Sequence, residues 1–308
     1  MPRAMNAAQP THRALAFGLQ WDSDLPLHQF EGAAGGAPAD IIVRQVPSCV
    51  RAREVVAESG GAALCTDGVR FHAGREATFD TLGSSLIEWS PGEVWTGALP
   101  ATFFGTLTAL LMAWRGCVPL HGTAVEIGGS AVLICGASGV GKSTLGAGLI
   151  ALGAKLISDD LSVLAFPRSD DVGLLYAGRP TLRLYPRTAE YLKATNASID
   201  IKTVAGEKDI VLSPRVSPLA PIPLKTMIML GSIHGAVAPT HKAALLQAQV
   251  FRPRWMAAIP GYKARRANIL HAAQPLQVAT MPALVVRDAE TFIGCATAAL
   301  ERIEACRQ

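Results

Sequence analysis

Between residues 13 and 95 the apolar positions fall in short runs broken by turn residues: RALAFGLQW, ADIIVRQVP, AALCTDGVRFHAG and SLIEWSPGEVW. Runs of this length bounded by Gly, Pro, Asp and Ser predict strands, and EGAAGGAPAD at 31–40 predicts a small-residue loop. The period then changes. Phe103, Phe104, Leu107, Leu110, Leu111 and Trp114 recur at helical spacing within 101–114 and stop at Gly116, which predicts a helix packed on a core.

From residue 119 strands and helices alternate. PLHGTAVEIGG and SAVLICG predict two strands around a Gly-Gly turn. A loop follows, then a helix to about Leu152, then AKLISDDLSVLAF, one buried strand running into another. TLRLYP at 181–186 predicts a strand, RTAEYLKAT a short helix, and PLKTMIMLGS at 223–232 a buried strand. Residues 287–305 predict a helix with Phe292, Ile293, Ala296, Ala299, Leu300 and Ile303 on one face. There is no internal repeat and no low-complexity tract. The simplest parse is two domains: a mainly-β α+β unit over 1–116 and an α/β unit over 117–308.

Composition narrows the class. Half of the 308 residues are hydrophobic and 17% are charged, which fits a packed globular chain rather than a disordered one. The formal charge of +4 is scattered, with no basic block longer than KARR at 263–266, so no nucleic-acid partner is expected. Six cysteines lie far apart without a CxxC spacing, which reads as reduced thiols of a cytoplasmic protein. The N-terminal stretch lacks the apolar core of a signal peptide. LPATFFGTLTALLMAW at 99–114 is too short and interrupted to span a bilayer, so no membrane partner is expected.

The chemistry concentrates in GASGVGKST. Gly136, Ala137, Ser138, Gly139, Val140, Gly141, Lys142, Ser143 and Thr144 fit G-x-x-x-x-G-K-[ST], after the apolar strand AVLIC and before a helix. Glycines let such a loop turn its N–H groups inward, and the helix N-terminus adds positive potential, so a polyphosphate is held by many donors. Lys142 can reach the outer phosphates, and the Ser143 hydroxyl can ligate magnesium. Asp159 and Asp160 follow Lys142 by 17 and 18 positions, room for one helix and one returning strand. In a parallel α/β sheet the neighbouring strand ends at the same crevice. One carboxylate there suits the metal, and a second can take the proton of an attacking hydroxyl, which favours a kinase over a simple nucleotide hydrolase. His121, alone in an apolar strand, reads from composition as a hydrogen-bonded core residue. The other six histidines show no zinc spacing.

The ordered set HGTAVEIGG, LICGASGVGKST and GLIALGAKLISDD, within 119–165, resembles the HPr kinase/phosphorylase-like serine kinases. FGLQWDSDLPL at 17–27 and GRPTLRLYP at 178–186 look like a divergent bacterial branch of that family. The resemblance implies a phosphate-loop kinase core of the HPr kinase C-terminal type, related to phosphoenolpyruvate carboxykinase. It implies ATP and Mg2+, with Gly136–Thr144 on the nucleotide phosphates and Ser143 and Asp160 on the metal. Asp159 would be the base and His121 its neighbour, though the order of the two aspartates stays open. It also implies a peptide or small-protein acceptor serine, a lasso-peptide precursor being the favoured kind, with the 1–116 domain suited to hold the peptide, and a homo-oligomer. The glutamate-containing stretch of the bifunctional enzymes is replaced by TLRLYPRT, and GKST stands for their GKSE, which favours a kinase without the reverse activity. No C-terminal active-site loop is matched, and Arg252, Arg254, Lys263 and Arg265 are the candidate phosphate-stabilising cations. Two other readings fit the loop and aspartates: a small-molecule phosphotransferase and a non-catalytic nucleotide sensor.

Overall fold

The computed structural model describes residues 12–33, 36–49, 51–166, 172–196, 199–202, 208–212, 219–231 and 237–307. Nine strands between His12 and Pro91 form one sheet. Its first hairpin pairs His12–Ala16 with Leu19–Ser23 around Phe17 and Gly18, both at positive φ. Two parallel ladders carry the sheet on through Ile41–Gln45 to Leu86–Pro91. An antiparallel meander then runs through Ala77–Leu82, Gly68–Ala73 and Ala62–Cys65 to Val55–Ser59.

RALAFGLQW and AALCTDGVRFHAG, read as single strands from their hydrophobicity, each hold a hairpin. In both the turn residues sit inside the run: Phe17-Gly18 in one and Thr66-Asp67 in the other. The small-residue loop at 31–40 also contributes Glu31–Gly32 to the sheet edge, while residues 34 and 35 lie outside the described residues.

The stripe at 103–114 is helical, opening with a wide π-turn over Phe103–Leu107 and continuing as Thr108–Trp114. The Thr108 hydroxyl donates to the Phe103 carbonyl at 2.8 Å, adding to the bond that the Thr108 N–H already makes to the same oxygen across the wide turn. Phe103 and Phe104 are fully buried and meet Trp21, Phe30 and Phe79, so this helix closes one face of the sheet.

The second sheet explains where the aspartates come from. Val118–His121 pairs with Leu161–Ala165, and Thr123–Ile127 pairs with Lys155–Ser158. The same two stretches of chain are thus partners twice, and Gly122 stands opposite the Asp159–Asp160 break. Gly122 is needed there because a Cβ would lie 2.8 Å from the Ile134 carbonyl oxygen. Thr123–Ile127 turns at Gly128-Gly129 into Ser130–Gly136, which lies parallel to Ile222–Leu230, itself parallel to Gln277–Met281. Parallel α/β logic puts Lys155–Ser158 directly beside the loop strand. Instead Thr123–Ile127 lies between them, because it reaches the sheet as the hairpin partner of the loop strand. The ends of Lys155–Ser158 and Ser130–Gly136 still open on one side, since each is antiparallel to the strand between them.

The loop helix, Lys142–Ala151, buries Leu145, Leu149 and Ile150 and packs on the C-terminal helix Ala289–Arg307. Phe292, Ala296, Ala299 and Ile303 form the buried face of that helix, with Ile293 and Leu300 at its margin. The helices approach so closely that a Cβ on Gly148 would lie 2.9 Å from the Ala296 Cβ. Two apolar cores result. One surrounds the loop helix; the other runs from Ala14 to Leu276 and is shared by the N-terminal sheet and the Val118–His121/Leu161–Ala165 side of the second sheet.

Candidate active site

The loop is built on glycines at positive φ, two of them with no room for a side chain. Gly136, Gly139 and Gly141 have φ of 140°, 84° and 102°. A Cβ on Gly136 would meet the Leu230 carbonyl oxygen at 2.5 Å, and one on Gly141 would meet the Leu284 Cβ at 2.9 Å. Leu284 is fixed there by its N–H, which donates to Val140 O at 3.0 Å. Gly141→Ala therefore strains the backbone and pushes Leu284 off the loop. We expect at least about a tenfold loss of ATP affinity, read by calorimetric titration, because phosphate binding depends on the preformed loop.

Lys142 folds back across its own loop, donating from Nζ to Gly136 O and Ala137 O at 3.0 Å each. Burial lowers its pKa from the ordinary lysine value, opposed by nearby anionic groups including Asp160 and Asp159.

The two aspartates have opposite surroundings. Asp159 is 4% exposed and its carboxylate is fully engaged. Oδ1 accepts from the Thr123 hydroxyl at 2.7 Å and the Ser143 hydroxyl at 2.9 Å, and Oδ2 accepts from the Arg183 N–H at 3.1 Å. The side chain of Asp160 is 54% exposed. It sits at φ 69° at the centre of a γ-turn, the Leu161 N–H donating to Asp159 O at 2.8 Å. That conformation is rare and strained for a residue other than glycine, although Asp tolerates it better than most. The carboxylate faces His121 Nδ1 at 3.4 Å and Arg179 Nη2 at 3.6 Å.

Two clefts meet at this point. One, of about 280 Å3, is lined by Lys142, Ser143, Asp159, Asp160, Arg183 and Tyr185, among others. The other, of about 700 Å3, is lined by the start of the loop and by Met229, Gln249, Phe251 and Arg252, among others. His121 and Ser138 line both. The backbone of 249–251 is laid against the His121 strand: His121 N–H donates to Gln249 O at 2.7 Å, and Phe251 N–H to Pro119 O at 2.9 Å.

The structure thus brings together the loop, Lys142, Ser143, both aspartates and His121. Among the described side chains of the four candidate cations, only that of Arg252 lines a cleft with the loop, at a positive φ of 45° and with its guanidinium 5.7 Å from the Phe251 ring centre. Arg254 lines a separate cleft beside Trp255. Arg265 is buried and donates to Ile259 O at 3.2 Å, and the Lys263 side chain lies outside the described residues.

Sequence reasoning missed Thr123, Arg179 and Gln29. Thr123 was legible in HGT as a hydroxyl two residues after the histidine, but nothing in its spacing pairs it with Asp159. All six cysteines are free thiols, as read from their spacing. Burial pushes the Cys117 thiol up to about 11 and raises Cys135 under the loop as well. Among the described residues no helix is long and apolar enough to cross a membrane.

Residues 116–175 match the family described as HPr Serine kinase C-terminal domain, so the block holding His121, the loop and both aspartates is HPr-serine-kinase-like. Among solved structures, the chain is similar to one titled "Structure of the Hpr(Ser) kinase/phosphatase from Coxiella burnetii". The identity is 18%, over 40% of this chain and 71% of that one, with a TM-score of 0.26, a likeness too slight to bear on the fold. No curated protein matches the chain.

Proposed function

We propose that the chain is a MgATP-dependent kinase that phosphorylates a serine hydroxyl in a peptide or small protein. The observation that carries this reading is the asymmetry of the aspartates, one buried on the loop serine and the other half exposed in the loop cleft beside His121, which lines both clefts. In the proposal Asp159 and Ser143 face the metal and Asp160 accepts the proton. That reverses the division implied by the resemblance, and it rests on contacts: among the described residues Ser143 donates to Asp159, not to Asp160.

The donor set fits magnesium. A serine hydroxyl and a carboxylate oxygen 2.9 Å apart, beside the phosphate-binding lysine, supply the one or two protein oxygens that this ion takes while keeping several waters. Bound there, magnesium neutralises charge on the outer phosphates. The rest is done by the chain. Loop N–H groups and the helix N-terminus hold the phosphates, and Lys142 exchanges its two carbonyl partners for phosphate oxygens. The acceptor hydroxyl attacks the terminal phosphorus, an O–P bond forms as the bond to ADP breaks, and the hydroxyl proton passes to the Asp160 carboxylate. His121 stands beside that carboxylate at the wall shared by the nucleotide and acceptor sides.

A peptide acceptor is favoured over a small molecule by the form of the second cleft. Arg252 also lines a further cleft of about 490 Å3, with Ala57, Glu58, Leu64 and Trp255. That cleft borders Val55–Ser59, the terminal strand of the N-terminal sheet, where Val55 and Val56 are 46% and 57% exposed. An open strand edge beside an apolar pocket suits an extended chain.

The test is mass spectrometry after incubating the full-length chain with MgATP and a degenerate peptide pool carrying one fixed serine. A gain of one phosphate on serine is expected. No phosphopeptide, with ADP formed only when small hydroxyl compounds are added, would establish the small-molecule phosphotransferase instead.

A further inference from the structure

The two stretches that resemble the divergent branch outside the loop block, 17–27 and 178–186, touch in the fold. Phe17 N–H donates to Ala177 O at 2.7 Å, and Gly178 N–H donates to Ile157 O at 2.8 Å. Residues 177–178 are therefore held between the first hairpin turn and the strand that delivers the aspartates. The fit is tight: a Cβ on Gly178 would lie 2.5 Å from the Phe17 ring, and one on Gly18 would lie 2.7 Å from the Tyr176 ring. Phe17 itself is 5% exposed at φ 56°, an uncommon conformation for a bulky residue. Such strain persists only where the surroundings over-determine it. Its ring meets Phe30 edge-on at 6.0 Å.

The next residue is Arg179, 9% exposed. Its Nη1 donates to Gln29 Oε1 at 3.1 Å, and its Nη2 donates to Asp159 O at 3.2 Å while lying 3.6 Å from Asp160 Oδ2. One guanidinium thus joins a loop of the N-terminal sheet to both members of the aspartate pair. Its planar fork fixes several directions at once, which a lysine ammonium does not.

We propose that Arg179 is a positioning residue that holds Asp160 in its left-handed turn with the carboxylate toward the acceptor, and that Gln29 and the Phe17 turn set the place of Arg179. The N-terminal sheet is then part of the reaction centre as well as a border of the acceptor side. This rests on the reading of Asp160 as the proton acceptor.

The test uses the full chain and ADP release from MgATP, with either the serine-peptide pool or water as acceptor. Arg179→Ala is expected to lower kcat by roughly 30- to 100-fold and to leave KM for ATP within about twofold, the split of a residue acting on chemistry rather than nucleotide binding. Added guanidinium recovers much of the loss, and Arg179→Lys recovers only part of it. Gln29→Ala lowers kcat by about three- to tenfold and adds nothing to Arg179→Ala, because both act through one contact. Full kcat in Arg179→Ala overturns the proposal, and so does a loss that guanidinium leaves unchanged. If Arg179→Ala does not fold, Gln29→Ala and Arg179→Lys decide, full kcat in both being the contrary result. Wild-type activity in Asp160→Asn would instead remove the proton-acceptor reading, independently of Arg179.

Discussion

Asp160→Asn lowers phosphoryl transfer by about 10²- to 10⁴-fold, the usual contribution of a positioned general base, while MgATP affinity stays within about twofold. The asymmetry of the site is the reason. The Asp160 carboxylate is half exposed in the loop cleft beside His121, and among the described residues it acts on Lys142 through charge rather than through a hydrogen bond. Its loss removes the proton acceptor and leaves the phosphate cradle untouched. Stability should hardly change, because Asn tolerates a left-handed φ as well as Asp does, and ion pairs this exposed contribute little. Single-turnover transfer to the serine-peptide pool, with a thermal melt of the same sample, checks both halves. A variant that transfers normally, or one that melts several degrees early, would contradict this account.

Asp159→Ala has the larger effect on the fold. Three donors converge on that carboxylate: a Thr123 hydroxyl with no exposed surface, the Ser143 hydroxyl and the Arg183 N–H. Leaving buried donors without a partner costs about 1–3 kcal/mol each, so the variant should lose about 3–5 kcal/mol along with its magnesium-dependent ATP binding. Asp159→Asn should behave differently. Hydroxyls can rotate to accept from an amide, so Thr123 and Ser143 keep partners while the charge disappears. The expected result in urea unfolding is a large shift for Asp159→Ala and a small one for Asp159→Asn, with magnesium dependence lost in both. Equal stability of Asp159→Ala and wild type would mean that these hydrogen bonds do not hold the site together.

The loop and its helix were legible because their signal is local: glycines where the backbone must turn or come close, and apolar positions at helical spacing after them. The C-terminal helix was legible for the same reason, with Phe292, Ala296, Ala299 and Ile303 on the buried face. The hairpins hidden in RALAFGLQW and AALCTDGVRFHAG were not. Phe17 occupies a turn position with positive φ that residue preferences assign to Asn or Gly, and it is held there by packing on Gly178.

The split between Asp159 and Asp160 was half legible. Two aspartates side by side at a strand end marked the place, but they lie in a turn between Lys155–Ser158 and Leu161–Ala165, where strand alternation assigns neither an inward nor an outward direction. Which of them turns inward is set by the γ-turn and by the Thr123, Ser143 and Arg183 donors, none of which the sequence reveals. Arg179 and Gln29 were beyond reach, since their contact joins residues 150 positions apart. Among the basic residues of 252–266, sequence could not separate Arg252, which reaches the acceptor cleft, from Arg265, whose guanidinium turns back to Ile259.

The central claim is that one aspartate serves the metal and the other the acceptor. Calorimetric titration of ATP, with and without magnesium, into Asp159→Asn and Asp160→Asn tests it most directly. The account predicts that magnesium tightens ATP binding in Asp160→Asn as in wild type and has no effect in Asp159→Asn. The reverse pattern, with magnesium acting only in Asp159→Asn, would contradict it.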